Sequence, residues 1–161
     1  MKVIGVDPGL SSTGIGIISG HGLRVTSHAY GSIFTSSKTS LAGRLDCIHQ
    51  RLLELLRREE PDLLVIEDVF SLKAYPKSGI TLGQVSGVVQ LAGYQAGVSA
   101  VEIPVREAKQ VLTGNGNAAK SQLEKAVRSL LDIAKPIRPY HASDALGLAL
   151  IGLYRHSRGQ A

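Results

Sequence analysis

Residues 2 to 18 read Lys-Val-Ile-Gly-Val-Asp-Pro-Gly-Leu-Ser-Ser-Thr-Gly-Ile-Gly-Ile-Ile. Val3, Ile4 and Val6 form a β-branched run that stops at Asp7 and the turn pair Pro8-Gly9. A second apolar run, Ile15, Ile17 and Ile18, resumes after Ser11, Ser12, Thr13 and Gly14. The pattern predicts a hairpin whose first strand is buried and carries one carboxylate at its exit. Burying an unpaired carboxylate costs several kcal/mol. Asp7 therefore needs a cation or hydrogen-bond donors, unless it only caps the turn, as Asp before Pro-Gly often does. Gly9, Gly14 and Gly16 strip side chains from the surroundings and let something large approach the backbone.

The rest of the chain alternates. Leu23 to Ile33 continues the antiparallel meander after the Gly20-His21-Gly22 turn, and the polar stretch 35–40 supplies an N-cap. Leu41, Leu45, Ile48, Leu52, Leu55 and Leu56 recur at helical spacing over 41–58, and Pro61 ends that helix. Leu63 to Ile66 is a wholly apolar strand that stops at Glu67-Asp68. A helix followed by a strand apolar on both faces marks a parallel crossover.

Residues 70–80 read as a loop and 81–97 as a helix unusually rich in glycine, each glycine costing about 1 kcal/mol relative to Ala. Gly83 and Gly87 lie one turn apart, which fits either packing on the chain's own sheet or a homodimer seam. A fifth strand over 98–103, a helix opened by Pro104, a helix over 118–131 capped by Asn117, a linker over 132–139 and an apolar helix over 140–154 complete the chain. The order β-β-β-α-β-α-β-α-α-α predicts an α/β fold, a five-stranded mixed sheet with helices on both faces, in one domain over 1–161.

Composition bounds the setting. One cysteine, Cys47, excludes an intrachain disulfide and a cysteine zinc cluster and fits a reducing, cytoplasmic environment. No apolar run reaches the roughly 20 residues of a membrane helix, and Asp7 comes too early for a signal peptide. Residues 1–100 hold nine basic and eight acidic residues, whereas 101–161 hold nine and five. A basic C-terminal third suits a polyanion.

Acid placement points to chemistry. Asp7 and Glu67 end strands that would run parallel, at the edge where α/β sheets carry their sites. Asp144, with His141 one helical turn before it, opens the last helix. Taken singly, Glu67 could pair with a lysine, His141 could cap the helix and Asp144 could favour its N-terminal dipole. Together, oxygen-rich ligation with one imidazole suits Mg²⁺ or Mn²⁺ better than Zn²⁺. Two such ions would orient a water and stabilise both oxygens of an in-line phosphoryl displacement.

Gly-Val-Asp-Pro-Gly-Leu-Ser-Ser-Thr-Gly-Ile-Gly at 5–16 resembles the first motif of the RuvC family of Holliday-junction resolvases. Ile-Glu-Asp-Val-Phe at 66–70, Leu-Gly-Gln-Val-Ser-Gly at 82–87, Ala-Lys-Ser-Gln at 119–122 and His-Ala-Ser-Asp-Ala-Leu at 141–146 extend the resemblance in order over nearly the whole chain. It implies a ribonuclease-H-like fold, a homodimer, a four-way DNA junction as substrate, and Mg²⁺-dependent paired nicks leaving 5′-phosphate and 3′-hydroxyl ends. It also implies the branch-migration proteins RuvA and RuvB as partners. Asp7, Glu67 and Asp144 match the family's catalytic carboxylates, and His141 stands where many members carry Asp.

Phe70 matches an aromatic that stacks on a junction base, and Lys109 and Lys120 match basic residues facing DNA. Lys73 and Lys77, in the 70–80 loop, are further candidate contacts. Three rival readings frame the test. An actin-like or sugar-kinase ATPase shares the Asp-x-Gly loop but needs a second lobe that 161 residues cannot supply. A non-catalytic junction-binding module would not need all three acids, and a same-fold nuclease could act on RNA.

Overall fold

A computed structural model describes residues 1–68 and 76–156, with the backbone alone at 76–78. Three strands, β1 (Lys2–Asp7), β2 (Ser12–His21) and β3 (Arg24–Phe34), form the meander. Helix α1 (Leu41–Glu59) crosses to β4 (Leu63–Glu67), α2 (Pro76–Ala96) to β5 (Ala100–Ile103), and α3 (Val105–Thr113), α4 (Lys120–Leu130) and α5 (Tyr140–His156) follow. The sheet order is β3-β2-β1-β4-β5, with β4 parallel to both β1 and β5. This is the mixed sheet that the element order predicts and the ribonuclease-H-like arrangement that the resemblance implies.

The alternation of side chains along the strands splits the interior into two cores. Val3, Leu63 and Val65 face α3, α4 and α5, while Ile4, Val6, Ile15, Leu64 and Ile66 face α1 and α2. Helix α5 is apolar all round and buried from Ala142 to Leu153, as a helix laid across the centre of a sheet must be.

Glycines set how closely α5 lies. A Cβ at Gly5 would fall on the Ala145 carbonyl oxygen, one at Gly14 on the His141 carbonyl, and one at Gly16 on the Leu146 backbone. The large body that Gly14 and Gly16 admit is therefore the chain's own last helix. Gly93 likewise seats α2 on Leu64, whereas a Cβ at Gly83 or Gly87 would meet nothing within 4 Å.

Two local expectations change. Helix α2 begins at Pro76 rather than near 81, since proline's fixed φ and missing N–H are tolerated in a first turn. Asn117 does not cap α4. Its backbone N–H instead bonds the Asn115 side chain, and the cap is made by Gln122, whose Oε1 accepts from the Ala119 N–H at 2.7 Å. Helix α1 is capped as expected, by Ser40, and closes on Glu60 in the left-handed region.

Candidate active site

Register brings the acids together. Val6 pairs with Ile66 in the parallel β1–β4 ladder, so Asp7 and Glu67 leave adjacent strand ends. Both lie on the α5 side, because Gly5, two residues before Asp7, and Val65, two before Glu67, face that helix. Gly14, paired with Asp7, abuts the His141 backbone. The first turn of α5 therefore delivers His141 and Asp144 to the same place.

The resulting cluster is tight and largely buried. His141 Nδ1 donates to Asp7 Oδ2 at 2.6 Å, and Asp7 and Asp144 are 4% and 3% exposed. Lys120, in the first turn of α4, puts Nζ 3.5 Å from Asp144 Oδ2. Burial, a hydrogen bond shared with Asp7 and the charges of Asp7 and Asp144 push the Glu67 carboxyl up to about 9, against the pull of Lys120. Burial and the Asp7 charge also raise Asp144, again opposed by Lys120. The Asp7 hydrogen bond raises His141, opposed by burial. Glu67 is therefore held protonated at neutral pH, since burial and the neighbouring carboxylates outweigh the pull of Lys120.

The donor set fits a hard divalent cation. Asp144 Oδ1 is buried and lacks a hydrogen-bond partner, an oxygen in want of a positive ligand. Among the described residues no three His, Cys, Asp or Glu side chains already surround one point as a metal cage. Asp7 Oδ2 is engaged by His141 and Asp144 Oδ2 by Lys120. A cation here would draw these oxygens away from their protein partners.

Of the candidate DNA contacts, Lys120 reaches the acids. Lys109 is half-buried on α3, and its charge is not among those biasing Glu67 or Asp144. Phe70 and Lys73 lie outside the described residues, as does the side chain of Lys77.

A scaffold that the sequence reading passed over holds the turn after Asp7. Buried Thr13 donates to the Gly9 carbonyl at 2.8 Å. Thr35 donates to the Leu10 carbonyl, and Arg44 donates to Thr35 Oγ1 and Ser11 Oγ at 2.8 and 2.9 Å. In the sequence Arg44 is one polar position between the leucines of helix α1, and its partners come from 9 and 33 positions away.

Comparison with known proteins shows the family. The family profile described as RuvC, crossover junction endodeoxyribonuclease, matches residues 3–152. The crossover junction endodeoxyribonuclease RuvC of Prosthecochloris aestuarii is 37% identical over 99% of this chain and 84% of its own. That of Azorhizobium caulinodans is 38% identical over 100% and 93%. Thermus thermophilus RuvC, solved in complex with Holliday junction substrate, superposes with a TM-score of 0.90 at 31% identity, covering 100% of this chain and 98% of that one. With the family profile spanning nearly the whole chain and full-length relatives above 30% identity, this chain belongs to the RuvC family of crossover junction endodeoxyribonucleases.

Proposed function

We propose that this protein resolves four-way DNA junctions in recombination and repair by paired, metal-dependent nicks leaving 5′-phosphate and 3′-hydroxyl ends. The observation that carries this reading is the convergence of Asp7, Glu67, His141 and Asp144 at the ends of two parallel strands, with Lys120 beside them. The four would hold Mg²⁺, or Mn²⁺ in its place, as two ions per site. Such ions, when bound, supply Lewis-acid stabilisation of phosphodiester oxygens and acidify a water.

The chain's own groups do the rest. His141 is tied through Nδ1 to Asp7, which fixes the ring and leaves Nε2 as its exchangeable nitrogen. That one nitrogen can either take a place on the metal or accept a proton from the attacking water, whereas the two oxygens of an aspartate at this position could do both. Lys120 neutralises Asp144 and offers its ammonium to a scissile-strand phosphate. Phe70, Lys73, Lys77 and Lys109 complete the proposed DNA contacts.

A homodimer fits the substrate, since two symmetric nicks need two sites. Along α2, Ile80, Gly83, Gly87, Leu91 and Tyr94 recur at three- and four-residue spacing on the outward side; Ile80, Leu91 and Tyr94 are 66%, 46% and 84% exposed. This stripe is our proposed seam. RuvA and RuvB are the partners we infer from family membership, and the cytoplasm the compartment. Among the described residues no helix is long and apolar enough to cross a membrane.

Purified protein with Mg²⁺ should cut a synthetic mobile four-way junction symmetrically, and Asp7→Asn should keep junction binding while abolishing cleavage. Efficient cutting of a plain RNA–DNA hybrid in preference to the junction would overturn the assignment.

A further inference from the structure

We propose that the end of β3 and the hydroxyl-rich segment after it form a second DNA-binding surface, centred on Phe34 and Lys38. The inference rests on the nuclease reading above and extends it to the opposite side of β1 from β4. Asp7 pairs with Gly14 and Gly14 with Ser32, while Ser12 pairs with Phe34. Cross-strand partners share a face, so Phe34 stands on the face that carries Asp7, two strands over and one step further along. Two strand spacings are about 10 Å. One strand of duplex DNA covers that distance in about three nucleotides at its 3.4 Å rise.

The chemistry of this surface matches a nucleic-acid strand. Phe34 is 58% exposed on an edge strand, where core packing does not account for it. The stretch from Pro8 to Leu45 contains no acidic residue, but it carries Arg24, Lys38 and Arg44. Residues 35–40 add five hydroxyls around Lys38, and all but Thr35 are exposed.

This segment is ordered before any ligand arrives. The Thr39 N–H donates to the Ser36 carbonyl at 3.1 Å and the Lys38 N–H to Ser36 Oγ at 3.2 Å. Arg44 ties Thr35 to Ser11, in the turn that follows Asp7. An exposed ring beside the exposed hydroxyls of residues 36–40 and one cation, in an acid-free setting, offers a base-stacking platform with phosphate donors.

The chain has no tryptophan, so Phe34→Trp introduces a single indole at the proposed contact. Leu23→Trp, at the 68% exposed turn before β3, is the matched control. Each variant is titrated with a fluorescein-labelled four-way junction in EDTA, reading dye anisotropy and indole emission together. The expected result is saturable quenching for Phe34→Trp in step with anisotropy, no change for Leu23→Trp, and about tenfold weaker binding for Phe34→Ala. Lys38→Ala should lower the slope of log affinity against log salt by about one. Full anisotropy change with silent emission at position 34 and unchanged affinity for Phe34→Ala would overturn this inference alone. Absence of any junction binding by the unmodified protein would instead remove the nuclease reading on which it rests.

Discussion

His141 Nδ1 and Asp7 Oδ2 lie 2.6 Å apart, a bond between the last helix and the first strand across 134 positions of sequence. It supplies the partner that a carboxylate at the exit of a buried strand requires. It also orients the imidazole before any substrate is bound.

Removing that ring's proton chemistry while keeping its size should separate binding from catalysis. His141→Gln is expected to lower the junction-cleavage rate by about 10²-fold, within the range of a lost general base or acid, with junction affinity little changed. His141→Asp should retain cleavage and shift its dependence on Mg²⁺ to lower concentrations, because a fourth carboxylate adds charge to the site. Single-turnover cleavage against Mg²⁺ concentration reads both.

The raised acids make stability depend on pH with a definite sign. Glu67 titrates near 9 in the folded protein against an ordinary value of 4.5. Its contribution is thus fully present below about 4.5 and is lost as pH rises through 9; raised His141 acts in the same direction from its ordinary 6.5 upward. In EDTA, unfolding free energy should fall between pH 5 and 9, with a slope from Glu67 of at most about 1.4 kcal/mol per pH unit. Glu67→Gln should flatten that slope, and Mg²⁺ should restore stability at high pH while releasing protons. Urea titrations across pH, with and without Mg²⁺, measure this.

The close seating of α5 is a backbone constraint. Gly5→Ala puts a methyl group on the Ala145 carbonyl, and neither strand nor helix can yield without moving the acids. We expect a loss of about 3 kcal/mol in chemical denaturation, and cleavage reduced further than residual folding explains. Gly31→Ala, where a Cβ meets nothing within 4 Å, should fold like the unmodified protein.

Lys120 neutralises rather than builds. Its side chain is 55% exposed, so Lys120→Gln should change stability by less than about 1 kcal/mol. The same change should lower the salt slope of junction binding by about one and slow cleavage, because Asp144 loses the cation that opposes its neighbours.

The α2 stripe carries the expected seam. Leu91→Lys places a charge among the exposed Ile80, Leu91 and Tyr94 positions and should convert a dimer to a monomer in sedimentation equilibrium. Symmetric paired nicking should fail with it, while far-ultraviolet circular dichroism stays unchanged.

The strand, turn and helix pattern was legible in the chain because each depends on nearby residues. β-Branched runs, the Pro8-Gly9 and Gly20-His21-Gly22 turns, and leucines at helical spacing set the element order and the mixed sheet. They also placed Asp7, Glu67 and Asp144 at element ends. What lay beyond the sequence was contact across distance. That Gly14 and Gly16 admit α5, that Arg44 braces the turn after Asp7, and that Gln122 rather than Asn117 caps α4 all depend on side chains meeting in three dimensions. The sequence determined which groups could do phosphoryl chemistry, because that is a matter of residue type and local pattern. Only the tertiary structure decided that Glu67, His141 and Asp144 come within electrostatic reach of Asp7 and of one another, because the shifts of those three groups depend on mutual distance and exclusion of water.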